Sequence, residues 1–144
     1  MARDPQCIFC KIVAVEIPAA VVFESESLIA LLDIGPLAEG HLLVVPRDHY
    51  AAITDLPVAL ASEIGSVLPR LGRALLEVTG ADGFNVLQNN AQVAGQVVPH
   101  VHLHLIPRKP QDGLGYRWNA GTYGEGRVEA LAAAYQAALS RRTD

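Results

Sequence analysis

Apolar positions along this chain follow two different periods. Between residues 21 and 45 they fall in short aliphatic and β-branched runs, Val21–Glu24, Leu28–Asp33 and His41–Val45, which predict three short strands. Ser25-Glu26-Ser27 separates the first two. A segment from Gly35 to Gly40 with turn residues at both ends separates the second and third, so an antiparallel meander is the economical topology. A helical period follows. Thr54-Asp55-Leu56-Pro57 predicts a helix start, with a cap candidate ahead of a proline tolerated in the first turn. The helix should run to about Thr79 and stop at Gly80, and Pro69 inside it predicts a kink or a break. Phe84–Asn90 and His102–Pro107 read as two further strands, joined through a polar, Gly-containing loop at 91–96. From Gly113 to Gly126 the chain is Gly-rich and irregular, with Tyr116, Trp118 and Tyr123 embedded. A closing Ala-rich helix from about Arg127 to Arg142 carries Leu131, Tyr135 and Leu139 four apart. Five strands with helices outside them define an α+β domain, taken as a single domain over residues 1–144.

Composition narrows what such a domain can do. A chain of 144 residues that is 51% hydrophobic and 18% charged is globular in character and long enough to bury roughly 70% of its unfolded surface. Net charge is -4, and the densest basic clusters are only Arg108-Lys109 and Arg141-Arg142. That excludes a protein whose affinity comes from neutralising many phosphates, so long nucleic acid is not an expected partner. A small anion held by a few placed groups is still compatible. The opening Met1-Ala2-Arg3-Asp4-Pro5 lacks the apolar run of a signal peptide. The longest apolar stretch, about Leu56 to Val78, is interrupted by Glu63, Pro69, Arg70 and Arg73, so no membrane span is expected. A cytoplasmic location follows as the default. In that setting Cys7 and Cys10, three apart, read as a metal or redox pair rather than a structural disulfide.

The candidate chemistry is concentrated in one place. Three of the five histidines occupy alternate positions in His100-Val101-His102-Leu103-His104. On a strand such residues share a face at about 6.6 Å intervals, with Val101, Leu103 and Leu105 packing behind. Two uses suit that spacing: a three-histidine metal site, or a nucleophilic imidazole flanked by orienting and charge-stabilising partners. Spacing alone does not choose between them.

The segment from Gly95 to Arg108, Gly-Gln-Val-Val-Pro-His-Val-His-Leu-His-Leu-Ile-Pro-Arg, resembles the signature of the histidine triad (HIT) family. Cys7-Ile8-Phe9-Cys10-Lys11-Ile12, Leu32-Asp33-Ile34 and the run from Gly40 to His49 match the family as well. These blocks fall in the right order over residues 7 to 108, and the likeness is closest to bacterial Hint-like members; the segment from 109 to 144 forms the tail and closing helix. The resemblance implies a half-barrel built on an antiparallel five-stranded sheet, with a long central helix and a C-terminal helix, assembled as a homodimer. It implies a nucleoside 5'-phosphate hydrolase or transferase acting on purine nucleotide conjugates such as adenosine phosphoramidates. His102 would attack the α-phosphorus to form a covalent nucleotidyl-histidine that water resolves, with His104 beside the phosphoryl oxygens and no metal needed for the step. Within the same resemblance stand a Fhit-like dinucleoside polyphosphate hydrolase and a nucleotide-binding regulatory protein with little turnover.

Other positions gain meaning from this. Asp33 reads alone as a turn-capping residue; the resemblance makes it the acceptor of the ribose hydroxyls. His41 would line the nucleotide pocket, and Asn89 and Gln96 would meet ribose and phosphate. Val97 departs from the Ser or Thr that many members carry, keeping only a backbone N–H for the phosphate. Tyr116 and Trp118 could pack on the core or cover a pocket. Zinc at Cys7 and Cys10 needs two more ligands, and the resemblance supplies His49 and His100. That structural site would fix His100 and the strand bearing His102.

Overall fold

The computed structural model describes residues 3–115 and 121–141; Tyr116, Trp118 and Arg142 lie outside these. The chain forms two compact units, residues 1–113 and 114–144.

The first unit holds a short helix α1 (Ile8–Val13), strands β1 (Val21–Glu24), β2 (Leu28–Leu32) and β3 (Leu42–Pro46), helix α2 (Val58–Thr79), and strands β4 (Gly83–Gln88) and β5 (Leu103–Arg108). The strands make one sheet in the order β1-β2-β3-β5-β4, antiparallel throughout. The meander and all five expected strands are present, within two residues at each boundary. α1 was not anticipated, because six residues between turn elements carry too little periodicity to read as a helix.

Period-two alternation sorts the sheet into two faces. Leu28 and Ala30 of β2, Leu42 and Val44 of β3, and Leu103 and Leu105 of β5 pack with Val101 against Ile64, Leu71 and Leu75 of α2. Their neighbours Ile29, Leu31, Leu43 and Val45 pack on the other face with Cys7, Phe9, Cys10 and Val13 of the N-terminal segment. α2 thus covers one face of the sheet. Phe84 lies over Gly72, where a side-chain carbon would come within 2.4 Å of its ring.

The helix differs from expectation in two respects. α2 is unbroken across Pro69. The residue four positions earlier, whose carbonyl loses its hydrogen bond and meets the proline ring, is the exposed Gly65 with open space around it, so water can serve that carbonyl. The start also shifts: Pro57 takes the cap position, and the Asp55 carboxylate instead accepts from the Ala52 N–H (3.0 Å) in a preceding 3-10 turn. The stop is as expected, with Gly80 at φ 65° and its N–H on the Leu76 carbonyl.

The second unit contains α3 (Arg127–Ser140). Of its expected apolar stripe, Tyr135 is 69% exposed. No helix among the described residues is long and apolar enough to cross a membrane.

Candidate active site

The histidine run does not lie on one strand face. β5 begins at Leu103, so only His104 belongs to a regular strand; His100 and His102 precede it in a bent segment. Val101 donates its N–H to the Tyr50 carbonyl (2.7 Å), which ties this segment to the stretch after β3. The backbone turn sends His100 toward α1, while His102 and His104 remain neighbours with ring centroids 5.0 Å apart. Phe9, which sequence reasoning did not single out, contacts the rings of both His100 and His102, at 5.6 and 5.0 Å.

Around His100 four donor atoms converge. Its Nδ1 lies 3.3 Å from Cys7 Sγ, 3.7 Å from Cys10 Sγ and 3.2 Å from His49 Nδ1, and Cys10 Sγ lies 3.5 Å from His49 Nδ1. One ligand atom from each residue falls within 4.8 Å of all the others. A tetrahedral ion with bonds of about 2.3 Å to sulfur and about 2.0–2.1 Å to nitrogen has edges of about 3.3–3.8 Å, so the set fits such an ion closely. The proton arrangement suits it too. His100 Nε2–H donates to the Pro46 carbonyl (2.8 Å), which leaves Nδ1 as a bare lone pair facing the cysteines. Burial pushes the Cys7 thiol up and His100 down to about 4. Both shifts follow from removing charge from water; a bound cation would supply the counter-charge for the Cys7 thiolate and would take the lone pair of neutral His100.

A second group joins the residue ahead of β3 to β5, where His104 pairs opposite Leu43. His41, buried immediately before β3, accepts the Leu37 backbone N–H on Nδ1 (3.1 Å). Its Nε2 is 2.9 Å from His104 Nδ1 and 3.7 Å from Asp33 Oδ2. Burial lowers His41 despite the opposing pull of Asp33. Burial first, then the charges of His102 and His41, lowers His104 to about 4. Asp33 itself serves the turn as well, accepting the Gly35 N–H on Oδ1 (2.8 Å).

Between the two groups stands His102, 8% exposed. Its Nδ1–H donates to the His100 carbonyl (2.7 Å), so the lone pair is on Nε2. The remaining expected residues separate. Gln96 is buried with its amide fully engaged, accepting from the Ala91 N–H (2.8 Å) and donating to the Ala51 carbonyl (2.7 Å). It braces the loop ahead of the triad against the segment that follows His49. Ala91 within that loop has φ 71° and ψ 155°, a strained conformation for a residue with a side chain. Asn89 contacts the Gly95 carbonyl at 3.5 Å. Val97 is 90% exposed, at the mouth of the bent segment.

Comparison with known proteins identifies the family. The HIT domain family model matches residues 14–111, and the chain belongs to the HIT family. It is 42% identical over 125 residues to the adenosine 5'-monophosphoramidase HNT1 of Candida albicans, covering 83% of this chain and 82% of that protein. It is 40% identical over 108 residues to the adenylylsulfatase HINT3 of Arabidopsis thaliana, covering 75% of this chain but only 55% of that longer protein. Among solved structures, a Zn-bound histidine triad family protein from Mycobacterium smegmatis superposes with a TM-score of 0.72 at 37% identity, over 92% of this chain and 97% of that one.

Proposed function

We propose that this chain is a nucleotide hydrolase or transferase that acts at the α-phosphorus of nucleoside 5'-phosphate conjugates, adenosine phosphoramidates among them, through a covalent intermediate on His102. The observation that carries the reading is the His102 ring: Nδ1–H is held by the His100 carbonyl at 2.7 Å, so the lone pair of the neutral ring is on Nε2, with the His104 ring adjacent. A neutral imidazole so held is a competent nucleophile near neutral pH. Nε2 forms the bond to phosphorus as the bond to the leaving group breaks; water then cleaves the N–P bond, releasing the mononucleotide and restoring His102. In this reading His104 donates a hydrogen bond to charge that grows on the phosphoryl oxygens, and the Asp33 carboxylate accepts the ribose hydroxyls. His41, Asn89, Gln96 and Val97 complete the nucleotide site. Gln96 acts in it by holding the loop, and Val97 through its backbone N–H. The relatives named for phosphoramidase and adenylylsulfatase activity support this substrate class.

Zinc is part of the proposal, held by Cys7, Cys10, His49 and His100. The donor distances and the Zn-bound relative support it. Its role is structural: it fixes His100, whose carbonyl in turn holds His102, and it takes no part in the chemical step. The reading takes residues 1–144 as one domain and places the protein in the cytoplasm, where two free cysteines persist reduced. It also makes the protein a homodimer, for which the sheet edge at β4, with Val86 and Leu87 46% and 42% exposed, offers a surface.

The test is a rapid quench with adenosine phosphoramidate labelled at phosphorus. Label should appear on His102, and His102→Ala should lower turnover by about 10⁴-fold or more. Full turnover by that variant would remove His102 from the chemistry. Running a diadenosine polyphosphate and an adenylyl sulfate beside the phosphoramidate ranks the leaving groups.

A further inference from the structure

We propose that His41 is a positioning residue that commits His104 to one tautomer, proton on Nε2, through a hydrogen-bond relay beginning at the Leu37 backbone N–H. The kinetic consequence rests on the reading of His102 as nucleophile; the tautomer itself does not.

The relay follows from which atoms can only donate. A backbone N–H has no lone pair to offer, so at 3.1 Å from Leu37 the Nδ1 of His41 is an acceptor. His41 is 2% exposed and held neutral by burial, so its single ring proton is on Nε2. That nitrogen lies 2.9 Å from His104 Nδ1, which must then accept. The one proton of neutral His104 is left on Nε2. His102 and His104 are adjacent rings and end with opposite character at the same atom: a lone pair on Nε2 of one, a donor N–H on Nε2 of the other.

The same logic decides what the convergence of Asp33, His41 and His104 can hold. Their ligand atoms fall within 4.8 Å of one another, as in a two-histidine, one-carboxylate metal site. A cation there would face the His41 Nε2–H, and moving that proton to Nδ1 would set it against the Leu37 N–H. The group is therefore a proton relay rather than a metal site. Asp33 also shows what His41 prevents. With His41 gone, the Asp33 carboxylate, whose ligand atom falls within 4.8 Å of that of His104, would draw the proton to Nδ1 and leave Nε2 with a lone pair in place of an N–H. The turn of residues 34–40 thereby serves the site twice, bearing the Leu37 N–H and following directly on Asp33.

The experiment reads ring nitrogens directly. Nitrogen–proton correlation spectra of the intact, metal-replete protein at pH 7.5, with assignments from single histidine variants, should show His104 protonated on Nε2 and His41 protonated on Nε2. In His41→Leu the His104 signal should move to the Nδ1–H pattern, and kcat for adenosine phosphoramidate should fall about 10²-fold with KM changed by less than about threefold. His41→Gln keeps a side-chain N–H for His104 Nδ1 and should restore both the Nε2–H pattern and kcat to within about tenfold of the parent protein. Nδ1–H on His104 in the parent protein overturns the proposal whatever the variants do, including a variant that fails to fold. Unchanged tautomer and kcat in His41→Leu overturn it equally. If His102→Ala keeps turnover, the assignment of the nucleophile fails while the tautomer result still stands.

Discussion

His100 and His104 are four residues apart in one segment, the first buried and the second half-buried, and burial lowers both to about 4. Their polar partners nevertheless differ. The Nε2–H of His100 meets a carbonyl, that of Pro46, so its Nδ1 turns a lone pair into the cluster of Cys7, Cys10 and His49. Around His104 the controlling contact is a backbone N–H, that of Leu37, one imidazole away. That donor forces protons inward, and the cluster becomes a relay. The backbone group behind each ring sets whether a lone pair or an N–H is turned toward the neighbouring side chains. The residue types alone leave both uses open.

Metal removal should separate the two clusters most clearly. Zinc titration of chelated protein should reach one ion per chain and stop. Cys7→Ser with Cys10→Ser should abolish binding, while Asp33→Asn should not change it. At zinc a thousandfold above its dissociation constant the bound state gains about 4 kcal/mol, or a thermal midpoint higher by about 10–20 °C for a chain of this size. A second ion bound tightly through Asp33 and His104 would break the comparison.

Acid should act on the relay cluster with a definite sign. The folded-state value of His104, about 4, lies below the ordinary 6.5, so between these limits the unfolded chain binds more protons. Stability is fully present above about pH 6.5 and is lost as pH falls toward 4. Thermal midpoints of the chelated protein should decline over that window, and His104→Gln should flatten the decline. An equal slope in that variant would remove His104 as a contributor.

A smaller effect tests what joins the two regions. Gln96→Ala leaves the Ala91 N–H and the Ala51 carbonyl without their side-chain partner and should cost about 1–3 kcal/mol, read by denaturant unfolding. Because the tether ends beside the segment bearing His49, the loss should be smaller in zinc-loaded protein than in chelated protein. Equal losses in both states would show that the metal and the tether act independently.

Much of this was legible beforehand. Alternation and turn residues marked all five strands, and Gly80 marked the end of α2, because these signals are local and each is set by one residue's backbone preference. Cys7, Cys10, His49 and His100 could be named together only through resemblance, since 93 residues separate Cys7 from His100. α1 and the role of Phe9 escaped because a six-residue helix has too few turns to show a period. The regular histidine strand was the expectation that failed: alternate spacing implies a shared face only where the backbone stays extended, and here it bends at residues 97–100. Gln96 reaches two backbone groups, the Ala91 N–H and, 45 residues away, the Ala51 carbonyl, a tether that no local pattern could reveal.

From the sequence alone came the five strands and the helix that covers them, because side-chain period and turn preference are local properties of the chain. Tertiary structure alone decided which ring nitrogen of His41, His100 and His102 meets a backbone group. An imidazole has two nitrogens and one proton when neutral, and its placement depends on whether a carbonyl or an N–H lies within about 3 Å. For His100 and His41 that group comes from Pro46 and Leu37, whose identities say nothing about it, since every peptide has a carbonyl and nearly every one an N–H. Only folding brings one or the other into reach.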